Sequence, residues 1–316
     1  MNNRKTVYAI EPCHQEKGSN FKMFPYQAWV KVGGRVASPH YLTPKLRGIA
    51  YHMDFPSLRI NSKDVRLRFS EACTLRFDCF PDYIHHEIIP MVWDCWPMFF
   101  EKTCRWFQRH HVRTAIFTSS QTAERIQQRF PKMNIMTITE GIATDLFEEG
   151  QRLTDRCVAL YEIGSVRRGY FRKKYPDDYK RLFTKPVEWG LRTHDDYKRL
   201  LQNSQLTVIF PRSITQPEMA QGLETLTQRY WECMLSRILM VGHAPKELTD
   251  LVGYNPVIEM DMEHDLEQIE AILSDIANPV YQELVDRNRE TALKMGSWDI
   301  RMKQVMEWLR GLGYEV

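Results

Sequence analysis

Glu224 and Glu232 bracket the stretch Glu224-Thr-Leu-Thr-Gln-Arg-Tyr-Trp-Glu232, and their types and spacing suit a ligand that carries both phosphates and hydroxyls. Thr225 and Gln228 have the Thr-x-x-Gln spacing of a capping box, so the spacing predicts a helix beginning near Thr225. Glu224 would then precede the helix, and Glu232 would lie about two turns inside it. Leu226, Tyr230, Cys233 and Met234 recur at helical spacing as a buried stripe, and Ile238 to Val241 is an apolar run suited to a buried strand. The N–H groups at such a helix start, with the positive end of its dipole, attract a diphosphate, while carboxylates beside it accept hydrogen bonds from sugar hydroxyls. The plain alternative is that Glu224 is a solvated loop acid and Glu232 a surface acid of the helix.

Further candidates are weighed the same way. Gly164-Ser165-Val166-Arg167-Arg168 follows a strand at Cys157 to Ile163, so Arg167 or Arg168 could grip a diphosphate through charge-assisted bonds. The alternative is a solvated basic loop that continues through Arg172, Lys173 and Lys174. Lys246, after the Ile238 to Val241 strand, is a weaker candidate of the same kind, and Arg212 is weaker again. His85-His86-Glu87, with Cys79 and Asp94 nearby, has metal-ligand residue types, but adjacent histidines diverge and no second pair stands at ligand spacing, so zinc is set aside. The segment WPMFFEKTCRWFQRHH mixes aromatics with Lys102, Arg105 and Arg109 and could rest on an anionic membrane. Its helical stripe favours packing against a sheet instead, and no complete nucleic-acid motif supports RNA stacking.

These residues need elements to hold them. Strands are expected at Thr6 to Ile10, Ile88 to Trp93, Arg113 to Thr118 and Asn134 to Thr139 in the first half, with Pro97 opening a helix and Ser119 or Ser120 capping another. Residues 30 to 75 alternate short apolar runs with Pro and Gly and receive no firm assignment. The second half repeats the pattern with strands at Cys157 to Ile163, Leu206 to Phe210, Ile238 to Val241 and Val257 to Met260, and with a helix at His194 to Ser204. Such alternation predicts an α/β chain of parallel sheets with helices on their faces, ligands lying at the carboxyl ends of the strands. The polar stretch Asp145 to Asp155 suggests a boundary near residue 150, and Gly296-Ser297 should end one helix and open another with the stripe Trp298, Met302, Val305, Met306 and Leu309.

Composition agrees. At 316 residues the chain is long for one core, and 43% hydrophobic with 26% charged residues is ordinary for a globular protein. A net charge of +3 is too mild to argue for nucleic acid and suits a phosphate-bearing ligand. Seven cysteines without a Cys-x-x-Cys pair, and an N-terminus without an apolar signal core, lead to the expectation of a reducing cytoplasm. The longest apolar runs fall far short of the ~20 residues that span a bilayer.

The Glu224 to Glu232 segment resembles the C-terminal domain signature of retaining GT-B glycosyltransferases, in which an acid, seven residues and a second acid run into a helix, a strand and a Gly-containing loop. Its continuation, MVGHAPKELTDLVGYNPVIEMD, resembles the variant found in group-1-like transferases of bacterial polysaccharide and spore-coat clusters. WDCWP, AIFTSSQTAERI and ITEGIATDLF resemble the acceptor-side half of these enzymes. The resemblance, covering roughly residues 88 to 310, implies two Rossmann-like parallel-sheet domains facing across a cleft: 1–150 on the acceptor side, 151–296 binding the nucleotide sugar, and 297–316 as a helix crossing back. It implies Glu232 on the ribose hydroxyls and Glu224 near the donor sugar, although Thr225-Leu226-Thr227 replaces the family's Gly-rich tail. Glu224, Arg167 and Arg168 would be the catalytic set, and Thr225, Gly164, Ser165 and Lys246 would join Glu232 in binding the donor.

A histidine of the first domain often touches the donor sugar in such enzymes, and His14, His52, His85 and His86 all remain open for that role. The implied activity is transfer of a sugar from a nucleoside diphosphate to a glycan or lipid-linked saccharide, with retention and without metal or cofactor; peripheral membrane contact is a further expected partner, and nucleic acid is not. A sugar-nucleotide epimerase of the same fold and a non-catalytic sugar-nucleotide or glycan-binding protein are the alternatives.

Overall fold

The computed structural model describes residues 4–12, 21–38, 48, 52–53, 55–61, 63–164, 169–186 and 193–316. The chain forms two compact units, Met1–Glu140 joined by Trp298–Val316, and Gly141–Ser297. Among the described residues the first holds six strands: β1 Thr6–Ile10, β2 Val36–Ala37, β3 Asp64–Glu71, β4 Glu87–Trp93, β5 Thr114–Phe117 and β6 Asn134–Thr137. They lie in the order β2-β1-β3-β4-β5-β6, every neighbouring pair parallel. β4 is buried along its whole length, as an apolar run covered on both faces must be.

β3 escaped assignment because Arg66 and Arg68 interrupt its apolar residues, yet both arginines are buried. Each is compensated inside the fold. Arg68 pairs with buried Asp82 at 3.2 Å, and Arg66 lies over the Tyr8 ring and 3.4 Å from His86 Nε2. A buried charge is tolerated when it is paired in this way, so hydrophobic patterning alone does not find the strand.

The helices Pro97–Arg109 and Ser120–Arg129 begin where proline and capping signals place them; the Ser119 hydroxyl accepts from Thr122 N at 3.4 Å. The last helix, Trp298–Gly311, packs Trp298, Met302, Val305, Met306 and Leu309 into a core with Trp29, Trp93 and Ile89 of the first unit. Its tail is fastened there as well: Val7 N donates to Glu315 O at 2.7 Å, and the Tyr314 and Thr114 hydroxyls are 3.1 Å apart.

Among its described residues the second unit has four parallel strands, β7 Val158–Leu160, β8 Ser204–Ile209, β9 Leu239–Gly242 and β10 Ile258–Glu259, in the order β10-β9-β8-β7. It begins at Gly141, ahead of the expected boundary near 150. The polar stretch that suggested the later point carries Phe147 and Leu153, which are buried in the cores of this unit. At the edge where its strands begin, the buried Arg156 guanidinium donates to four carbonyls: Gln151 at 2.9 Å, Leu201 at 3.2 Å, Ser204 at 2.8 Å and Ser236 at 2.9 Å. Burial brings its pKa down to about 9.

Replacing Arg156 with Met, which keeps the apolar stem, strands those carbonyls. A loss on the order of 3 kcal/mol is expected in urea unfolding, since each hydrogen bond to a charged group contributes about 1.5–3 kcal/mol and neighbours are not additive. Unchanged stability would show that water replaces the guanidinium.

Candidate functional site

Because all four strands of the second unit are parallel, the loops leaving their carboxyl ends gather along one edge of the sheet. The loop after β9 approaches β8 closely: a Cβ on Gly242, whose φ is 149°, would lie 1.9 Å from the Ile209 carbonyl oxygen. Glycine is required at that point, and it lets His243 N donate to the same carbonyl at 3.0 Å.

His243 is the hub of one cluster. Its Nδ1 is 2.9 Å from Glu259 Oε2 at the end of β10, and its Nε2 is 3.5 Å from Glu224 Oε2. Ser213, after β8, donates its hydroxyl to Glu224 Oε1 at 3.0 Å. The Tyr230 hydroxyl donates to the His243 carbonyl at 2.8 Å, tying the loop to the helix Gln228–Leu235. Burial opposes protonation of His243, but its hydrogen bond to Glu259 and the charges of Glu259 and Glu224 outweigh that cost and raise its pKa.

Glu232 stands in that helix and is 8% exposed. It accepts a hydrogen bond from the Tyr197 hydroxyl, and another from Gln228 Nε2 at 3.1 Å. Burial raises its pKa against the opposing effects of Tyr197, Arg229 and Gln228. A carboxylate held this way is short of donors, which a ligand's hydroxyls would provide. Tyr197 comes from the helix His194–Asn203, whose start has the capping box formed by Thr193 and Asp196.

The helix starts later than the expected position near Thr225. The helix begins at Gln228 with Thr227 as its N-cap, and the Thr227 side chain makes no capping bond. The displacement follows from a distant partner: Leu226 is fully buried and its N–H donates to Glu247 Oε2 at 2.7 Å, while the Gln228 amide turns to Glu232. Thr225 therefore lies in the loop before the helix, 9% exposed.

Gly164, after β7, has φ of 105°, and a Cβ there would come 3.2 Å from Arg229 Nη1. Arg229 is the second residue of the helix, beside Glu232, and among the described residues it makes no hydrogen bond or ion pair that would occupy its guanidinium. Ser165, Arg167 and Arg168 lie outside the described residues, as does His14. The start of their loop is set by Glu162, whose buried carboxylate accepts from Phe171 N and Arg172 N, both at 2.9 Å, and from Arg172 Nε at 2.9 Å. Lys246 is exposed and pairs with Asp250 along its own helix. His85 and His86 belong to the first unit, His86 beside Arg66. No group of three or more His, Cys, Asp or Glu residues among those described is placed to hold a metal ion.

The structure thus joins Glu224 to His243 and Glu259, Glu232 to Tyr197 and Gln228, and Gly164 to Arg229. Arg229, His243, Tyr197 and Glu259 were not singled out from the sequence as site residues. Each sits at a strand end or helix start, but neither periodicity nor a motif distinguishes it; only the assembled sheet edge does.

Two parallel sheets of six and four strands, each flanked by helices, give the chain the GT-B fold. No family model matches the sequence, and no curated protein does either. Among solved structures, sucrose-phosphate synthase from Thermosynechococcus elongatus is similar with a TM-score of 0.59 and 13% identity, over 98% of this chain and 99% of that one. HepE from Anabaena, solved in complex with UDP-glucose, gives 0.58 and 10% over 97% and 99%. AviGT4, a glycosyltransferase involved in avilamycin A biosynthesis, gives 0.53 and 12% over 98% of each chain.

The raised pKa of His243 gives a pH signature. Its stabilisation is fully present below the unfolded value of ~6.5 and is lost as pH rises through the higher folded value. The gap in thermal midpoint between wild type and His243→Gln is expected to be larger near pH ~5.5 than near ~8.5. A gap independent of pH would mean that the imidazole is not held by the two carboxylates.

Proposed function

We propose that the protein is a glycosyltransferase that takes a sugar from a nucleoside diphosphate and passes it to a glycan or lipid-linked saccharide, with retention of anomeric configuration. The observation that carries this reading is the buried, donor-poor Glu232 beside Arg229 and Gly164 at the strand-end edge of the second sheet. Glu232 accepts hydrogen bonds from the ribose hydroxyls. Arg229, with Arg167 or Arg168 from the loop that Gly164 opens, meets the diphosphate. Glu224, oriented by Ser213 and His243, faces the donor sugar. The similarity to HepE, solved with UDP-glucose, supports a nucleotide sugar as the donor.

The chemistry is electrostatic. As the bond to the sugar breaks, charge grows on the departing diphosphate, and fixed cations stabilise it more than they stabilise the bound donor. In this reading cationic side chains serve where other enzymes use a metal ion. The first unit supplies the acceptor side, and peripheral contact with a membrane would be needed only if that acceptor is lipid-linked. No described helix is long and apolar enough to cross a membrane.

Screening nucleotide sugars by thermal shift, then following sugar transfer with the one that binds, tests the proposal. Glu232→Gln is expected to weaken nucleoside diphosphate binding roughly tenfold, the scale of one charge-assisted hydrogen bond. It should also preserve or raise the thermal midpoint at neutral pH. The Glu232 carboxylate has a raised pKa, so its cost to the fold sets in as pH rises above the unfolded value, and a neutral amide avoids it. Undiminished binding by Glu232→Gln would remove Glu232 from the donor site.

Turnover should persist in a strong chelator and fall in Arg229→Ala by a larger factor than nucleoside affinity does. Activity lost in chelator and restored by magnesium or manganese would overturn the cation-only mechanism.

A further inference from the structure

The first unit has a basic cavity. Between β4 and β5 the helix Pro97–Arg109 runs back antiparallel to the strands, carrying Lys102, Arg105 and Arg109 along one face. With Arg76 from the helix Leu75–Cys79, and with Trp106 and Gln108, these residues line a cavity of about 600 Å³. An adjoining void of about 10 Å³, room for a single water, shares Arg76, Lys102 and Trp106 with it.

A basic helix face is by itself an ordinary solvated surface. Trp106 makes this one different: the residue is 4% exposed, lines both spaces, and its indole N–H has no hydrogen-bond partner. Indole nitrogen can only donate, so what it lacks is an acceptor. Arg105 has no carboxylate partner among the described residues. Planar guanidinium groups match phosphate oxygens two at a time, and the buried indole of Trp106 lines the space they surround.

The geometry points to a binding site for a soluble ligand bearing two or more phosphate groups, in the cavity formed by Arg76, Lys102, Arg105, Trp106 and Arg109. A concave space floored by a tryptophan suits a compact anion better than an extended surface does. The inference is independent of the proposed donor site, which lies in the other unit.

Calorimetric titration with inorganic pyrophosphate tests it, using the full chain in excess UDP so that a diphosphate site in the second unit is already filled. Wild type is expected to take up pyrophosphate, and Arg105→Ser/Arg109→Ser should bind it at least roughly tenfold more weakly. Both side chains are exposed, so this variant should keep its thermal midpoint and its affinity for UDP. No uptake by wild type in UDP, or uptake that the double substitution leaves intact, overturns the site. So does binding to phosphatidylglycerol vesicles that the double substitution abolishes while pyrophosphate is ignored, because the face would then be a lipid-contact surface.

Discussion

Burying a carboxylate without full compensation is costly, and the second unit does so at Glu232. The surrounding architecture follows from how that cost is contained. Tyr197 reaches it from one helix, Gln228 donates from one turn away, and the surrounding Tyr230, Trp231 and Cys233 exclude water. Arg229 offsets the charge without neutralising it by direct pairing. A structural carboxylate would be expected to have a salt-bridge partner, as Asp82 has in Arg68 and Asp265 has in Lys174. Glu232 has hydroxyl and amide donors instead, an arrangement that leaves capacity for a ligand.

The same contrast explains how far the sequence could be read. The two acids at Glu224 and Glu232 were visible because their spacing is local, and most strands were visible because buried parallel strands are continuous apolar runs. β1 follows its expected span, and β4 starts one residue early. β3 was hidden by Arg66 and Arg68, whose partners are contributed by other parts of the fold. The helix start near Thr225 was misplaced for a related reason. Its Thr-x-x-Gln spacing is sound locally, but Glu247, twenty-one residues further on, takes the Leu226 N–H, and Gln228 is drawn to Glu232. Long-range hydrogen bonding overrides a local propensity of comparable size.

Site residues followed the same rule. His243 and Glu259 leave adjacent parallel strands, so their contact depends on the register Ile258↔Val241 and Glu259↔Gly242. A shift of one residue would turn each side chain to the other face. Arg229 reads in sequence as one more helical cation, and only the left-handed Gly164 beside it marks its position. Residue types and spacing therefore single out the acids as candidates, while the groups that contact them depend on strand order.

The return of Trp298–Val316 to the first unit has a consequence for synthesis. That unit is discontinuous in sequence, with Gly141–Ser297 intervening, and Trp298, Met302 and Leu309 complete the core that holds Trp29 and Trp93. A ribosome releases the segments in order, at about 5–20 residues per second. The second unit can therefore close on contiguous chain while the first still exposes the apolar face that its last helix will cover. The half made first is thus finished last, its core closed only when the final helix arrives.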